Sequence, residues 1–484
     1  MKKSSPRSRV SVDGVEQEQD QDRTRNNSIE SSSASAIPKP SPPSQRHSAV
    51  PNNNDGPPQP FSNGFWDKSP GMTRSRKMYL QVLFRGTVLI ILVIFGYLSI
   101  FWGSLFKTTE YIHKLKGWVV DFDGGSIGQT VVEAFQNNTG LPSQLTWQVI
   151  DASQFSNVDE VAAAVVDEQV WVAVTINPGA SNNLSAAIAN ADASYDGSNA
   201  ITAYAAEARN ENGYSIIEPI MQVPLLAAVD AYARQNALQV GTNGSINVQN
   251  LLEQAPGVLT TPIYYTINNL RPFDVPVAQA VDFVGLIYLL IISFVTCINN
   301  YQARVFISGI NRHLRLRSLL LVRIAVPFVS YFVISLFFSL LSLAFQAPFS
   351  RFYGKAGFVI YWMMNWCGMM SLGLALESLI TVLTPAFTPF FLILWIISNV
   401  SVASVPIEVL PGVFRYGYAA PFYNVSLTVR AILFNTKNKI GLNFGVQIAW
   451  IAISIVTMSL LTILMRKKEE KAFRQQNNKD IEKA

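Results

Sequence analysis

GTVLIILVIFGYLSIFWGSLF, residues 86–106, is an apolar run without a charge, bounded by Arg85 and Lys107. A bilayer core of about 30 Å takes roughly 20 residues of helix, because backbone polar groups in lipid must be satisfied within the segment. This run has that length. After it, residues 107–276 are mostly polar, and five more apolar runs follow. They extend from about Val277 to Asn299, from Leu319 to about Gln346, between Lys355 and Glu377, from about Pro385 to Ser404, and from about Gly441 to Met465. Pro385, Pro389 and Asn399 interrupt the fifth of the six, which membrane helices tolerate. The spacing predicts an α-helical integral membrane protein of six spans, one plus five, with an α/β extracytosolic domain inserted between spans one and two.

Lys and Arg set the orientation, since short cytosolic flanks retain positive charge during insertion. Arg74, Arg76, Lys77 and Arg85 precede the first run; Arg304, Arg312, Arg315 and Arg317 follow the second; Arg466, Lys467 and Lys468 follow the last. A six-span count puts all three groups in the cytosol. Residues 107–276 carry 17 Asp and Glu against 6 Lys and Arg, which suits the other side. The whole-chain charge of +5 therefore averages a basic face and an acidic domain. Asn137, Asn183 and Asn243 head glycosylation sequons in that domain, and Asn424 heads another between the last two runs.

These readings divide the chain into five parts. Residues 1–77, rich in Ser, Pro, Asn and Gln, are expected to be a disordered cytosolic tail, with Ser8, Ser28 and Ser41-Pro42 either kinase sites or incidental serines. Residues 78–106 form the first span, an uncleaved signal anchor with an interfacial start at Met78–Phe84. Residues 107–276 form the outer domain, 277–465 the five-span membrane domain, and 466–484 a cytosolic basic tail. In the outer domain, strands are expected at Gly117–Phe122, Leu145–Ile150 and Val170–Ile176, with helices at Ile127–Phe135, Val158–Val166 and Ser181–Asn190. Residues 204–239 read as mainly helical.

Several stretches in order carry a likeness: SIFWGSL (99–105), VVDFD (119–123), GLIY (285–288), AGFVIYW (356–362), GLALE (373–377) and PGVFRYGY (411–418). Through them, residues 80–465 resemble the fungal nitrosoguanidine-resistance protein family. More distantly, the layout is similar to the membrane subunits of ATP-binding-cassette exporters and to the bacterial phage-infection protein group. The resemblance implies a plasma-membrane or endomembrane protein linked to toxicant resistance.

The motif inventory points away from enzymatic chemistry and from a bound cofactor. There is no G-x-x-x-x-G-K-[ST] phosphate loop, and Gly354-Lys355 runs into Ala356. His47, His113 and His313 are scattered without metal-ligand spacing. Asp121 and Asp123 read either as a cation site or, by preference, as solvated carboxylates at a strand end. Cys297 and Cys367 fall in apolar runs, where a disulfide framework is not expected.

Ionisable groups at the membrane remain. Arg323 and Glu377 lie toward the cytosolic ends of their runs, and two readings are open: an intramembrane ion pair, or independent snorkelling. Tyr301–Arg317 has apolar and basic residues at near-helical spacing. It reads as a cytosolic docking loop for a separate ATPase, through Arg304, Arg312, Arg315 and Arg317, or as a topogenic loop on anionic headgroups. Residues 406–439 read as re-entrant or interfacial. Two functions fit: an exporter-like component, with a homodimer expected, that moves hydrophobic cargo or lipid; or a non-transporting membrane organiser. Membrane lipids are the expected partners, and nucleic acid is not.

Overall fold

The structure is a computed structural model describing residues 61 and 63–481. Ser8, Ser28, Ser41-Pro42 and His47 lie outside the described residues. In chain order the main elements are helix α1 (Pro70–Leu105), strand β1 (Lys116–Asp121), α2 (Ser126–Asn137), β2 (Thr146–Ile150), α3 (Val158–Val166), β3 (Val172–Ile176) and α4 (Ala180–Asn190). Then come β4 (Ile201–Ala205), α5 (Glu211–Thr242), β5 (Tyr265–Asn269), α6 (Ala280–Ile307), α7 (Leu316–Ala344), α8 (Lys355–Ala403), α9 (Pro421–Phe434) and α10 (Ile440–Ile481).

Among the described residues, five strands form one mixed sheet in the order β2-β1-β3-β4-β5. Only the β3–β4 pairing is antiparallel. Alternation along the strands sends side chains to opposite faces. Val119, Val172, Val174 and Ile176 join Val131 and Phe135 of α2 and Met221 and Leu225 of α5 on one face. Val120, Ala173 and Tyr204 meet Val161 and Val165 of α3 on the other. The sheet is thus buried on both sides, as parallel pairing requires. Gly117 is fixed by its neighbour, since a Cβ there would lie 2.3 Å from the Trp147 ring. The Asn157 side chain caps α3 by accepting from Glu160 N at 3.0 Å, while Glu160 Oε2 accepts from Ser156 N at 2.7 Å.

Among the described residues, six helices are long and apolar enough to cross a membrane: α1, α5, α6, α7, α8 and α10. Five of them have the inverted surface expected in lipid. Ile91 and Phe95 on α1, Phe328 and Phe337 on α7, and Val456 and Leu460 on α10 face outward, while Ser293, Ser339, Asn365, Ser371 and Gln447 are buried between helices. There Asn365 Nδ2 donates to Ser339 Oγ at 2.9 Å, and Gln447 Nε2 to the Pro421 carbonyl at 2.9 Å. Helix α5 differs. Its apolar face is spent on the sheet core, and Tyr232 and Gln235 bond to Ser126 and Thr130 of α2.

Helix α8 contains two of the runs separated in the sequence. Thr384 breaks it with φ 61° and ψ 162°. The cause is Pro385, which lacks an N–H and disfavours the helical region for the residue before it. Both ends of α8 lie against the sheet-bearing part. Arg351, just before its start, reaches Asp274 at 2.8 Å, and beyond its end the Ser404 carbonyl accepts from Asn212. The chain therefore turns back at Thr384.

Other boundaries shift. Helix α1 begins at Pro70, so residues 70–77 and the proposed interfacial turn at 78–84 are both helical. Tyr301–Arg317 is no single helix: α6 ends at Ile307, Gly309 takes φ 63°, and a short turn at Ile310–His313 precedes α7. Strands β4 and β5 have no counterpart in the sequence reading, and α10 carries the basic C-terminal stretch on as helix to Ile481.

Candidate functional site

Glu377 sits on the first half of α8, fully buried, a little under two turns before the Thr384 break. Its Oε1 accepts from Arg323 Nε of α7 at 3.0 Å and from Arg304 Nη2 at the end of α6 at 3.0 Å. Cys297 Sγ lies 3.4 Å from Oε2. Arg323 goes on to Thr462 Oγ1 of α10 at 2.6 Å, to Thr381 Oγ1 at 2.8 Å and to the Glu377 carbonyl. One carboxylate thus ties four helices together through two arginines. The two arginines are 3–4% exposed. Close packing supports the cluster: Gly373 faces Tyr331, whose hydroxyl donates to the Ser293 carbonyl at 3.0 Å, and a Cβ on Gly373 would fall 2.3 Å from that hydroxyl.

A second buried ion pair lies at the other end of α6. Arg430 of α9 donates from Nε to Asp282 Oδ2 at 2.7 Å and from Nη1 to the Arg209 carbonyl at 2.9 Å. Asp282 and Arg304 are 22 residues apart on α6. At 1.5 Å per residue that is ~33 Å, about one hydrocarbon thickness. Helix α9, with 14 residues, is too short to cross and almost wholly buried. It is followed by Lys439, paired with Glu168, and by Lys437, which bonds to the Asp167 carbonyl. A cavity of about 150 Å³ at this junction is lined by Glu168, Trp171, Arg209, Glu408 and Tyr423 among others. Burial lowers the Arg209 pKa from its ordinary value, with Glu168 and Glu408 acting the other way.

A family model described as a protein of unknown function, DUF3533, matches residues 87–456. The chain belongs to that family. It is also similar to an uncharacterized endoplasmic reticulum membrane protein of Saccharomyces cerevisiae, 27% identical over 472 residues, covering 87% of each chain. No solved structure matches it.

The structure brings Arg323 and Glu377 together, and adds Arg304 and Cys297, which the sequence reading had not joined to them. Arg304 is therefore withdrawn from the docking loop: it is buried and bonded to Glu377. Arg312, Arg315 and Arg317 are exposed. Arg466 donates to the carbonyls of Asn311, Arg312 and Leu314, which fastens that loop to α10. Asn137, Asn183 and Asn243 are exposed. Asn424 is corrected as a glycosylation site, because it is 1% exposed and its Nδ2 donates to the Tyr418 and Ala420 carbonyls. Asp121 and Asp123 are engaged in the loop after β1: Asp121 Oδ1 accepts from Asp123 N and Gly124 N, and Asp123 accepts from Ser181 N and Oγ. Asp282–Arg430 went unnoticed in the sequence, although an acid opening one apolar run was a visible signal.

Proposed function

We propose that this protein is a non-enzymatic, exporter-like component of a multi-pass membrane domain, with lipid as its cargo. The observation that carries the reading is the cluster of Arg304, Arg323 and Glu377 buried among helices whose outer surfaces are apolar. Charge at such depth is expensive and is kept where a pathway or a headgroup uses it. In this reading α1, α6, α7, both halves of α8 and α10 cross the membrane, whereas α5 stays with the sheet as part of an extracytosolic α/β domain. The basic ends at Arg312–Arg317 and Arg466–Lys468 face the cytosol. The endoplasmic reticulum is the favoured location, by likeness to the yeast relative, ahead of the plasma membrane. Exposed Arg312, Arg315 and Arg317 offer a surface for a separate ATPase, and resistance to nitrosoguanidine-type toxicants would follow from altered flux.

A second reading, a non-transporting organiser of membrane lipid, is favoured by one observation. The cavity beside Arg304 and Arg323 is about 80 Å³, well below the roughly 300–1,000 Å³ of drug-sized sites. Fluorescent-lipid movement in vesicles reconstituted with the full chain, with and without co-purified partners and ATP, separates the two. Protein-dependent lipid movement, lost in Glu377→Gln, supports the transport reading. Rates equal to those of empty vesicles under both conditions reject it in favour of the organiser.

A further inference from the structure

The Arg304–Glu377–Arg323 cluster holds two cations and one anion. Glu377 Oε1 serves both guanidinium groups, each at 3.0 Å. Arg323 spends its other donors on Thr462, Thr381 and the Glu377 carbonyl. Arg304 does not: its side chain is 4% exposed, yet Nε and Nη1 meet no acceptor. Leaving donors of a buried ionised group unsatisfied costs their full desolvation penalty. Space for an acceptor is present. A cavity of about 80 Å³ is lined by Arg304 and Arg323 together with Asn311, Thr381, Thr462 and Arg466. Glu469 stands at its rim, 54% exposed and 3.9 Å from Arg466.

We propose that this cavity binds a phosphate-type oxyanion, with the unpartnered guanidinium donors of Arg304 as its anchor. A spare N–H of a guanidinium gives a phosphate oxygen a charge-assisted hydrogen bond, and the single excess positive charge of the cluster is what a monoanion neutralises. The volume suits a phosphate group with a few waters and excludes an acyl chain, which would remain outside between helices. Exposed Arg312, Arg315, Arg317, Lys467 and Lys468 gather at the same end, so anions are concentrated at the mouth. Two sources supply this chemistry, a lipid headgroup and free phosphate. The headgroup source rests on the lipid reading above, whereas anion binding itself does not.

The test uses the full chain in a neutral detergent, following thermal unfolding and direct binding. The ligands are inorganic phosphate against chloride at matched ionic strength, and phosphatidic acid against diacylglycerol in mixed micelles. Stabilisation by phosphate, weakened about tenfold or more in Arg304→Gln, assigns a free-oxyanion site. Stabilisation by phosphatidic acid alone, with the same loss in Arg304→Gln, assigns a headgroup site. Arg304→Lys retains a cation for Glu377 without the spare guanidinium donors. If Arg304→Gln fails to elute as a single species, Arg304→Lys carries the comparison, again with weakened binding expected. Absence of stabilisation by either ligand, or equal stabilisation in wild type and variant, overturns the proposal. Intact anion binding with no lipid movement in vesicles would remove the transport reading and leave the site standing.

Discussion

The two ends of α6 solve the problem of buried charge differently. At Asp282 one carboxylate meets one guanidinium, and Arg430 Nη1 is taken by a carbonyl from the sheet-bearing part. At Glu377 one carboxylate meets two guanidiniums, and two donors of Arg304 are left over. The first arrangement is a neutral clasp that joins α9 to α6 and to the residues after β4. The second carries an excess charge beside a cavity. Buried pairs seldom add much net stability over apolar replacements, but an unbalanced group is costly. The neutral pair therefore reads as structure and the unbalanced cluster as function.

The largest effect should come from Glu377→Gln, which leaves two guanidiniums buried without a counterion. Loss of one partner of a buried pair costs about 3–5 kcal/mol, and this variant should lie at the upper end, read as a fall in thermal midpoint of the purified protein. A loss below about 1 kcal/mol would mean that water or lipid already neutralises the arginines. Next comes the clasp. Asp282→Leu and Arg430→Met singly should each cost about 3 kcal/mol, whereas the double variant should recover most of that, because no unpaired charge remains. Strictly additive losses would show that Asp282 and Arg430 do not act as a pair.

The smallest effect belongs to Asp274–Arg351, a one-to-one pair at 2.8 Å whose side chains are 43% and 37% exposed. Its hydrogen bond to Arg351 holds the Asp274 carboxyl below its ordinary value of 3.8. A depressed folded-state pKa gives stability that is present above the unfolded value and is lost as pH falls through the folded one. Solvent screening limits it to about 0.5 kcal/mol. The gap in unfolding midpoint between wild type and Arg351→Gln should thus be small and constant near neutral pH, and should close below the ordinary carboxylate range. A gap that widened on acidification would contradict the pairing.

Much of the helical layout was legible because hydrocarbon imposes a length and a composition on any segment that enters it. The strand–helix alternation of residues 116–190 was legible as well, since β1, β2 and β3 are short apolar runs ended by turn formers. Strand β4 was missed: Ile201–Ala205 follows two alanine- and serine-rich stretches and merges by composition with the helix after it. Strand β5, Tyr265–Asn269, shows an alternating pattern of burial at a sheet edge and carries little apolar signal. Among site residues, Arg323 and Glu377 stood out because each is a lone charge in an apolar run. Arg304 did not, because it begins a basic loop and looked like its neighbours.

The sequence by itself determined which segments are apolar enough to leave water, where positive charge collects, and that Arg323 and Glu377 need partners. These follow from local composition and the cost of desolvation. Only the tertiary structure decided that Asn424 on α9 is buried, and that Arg304 turns inward to share Glu377 with Arg323. The shared carboxylate depends on residues 54 and 73 positions apart meeting in space. A linear pattern cannot say which of several arginines reaches a given carboxylate, because helix packing sets that choice.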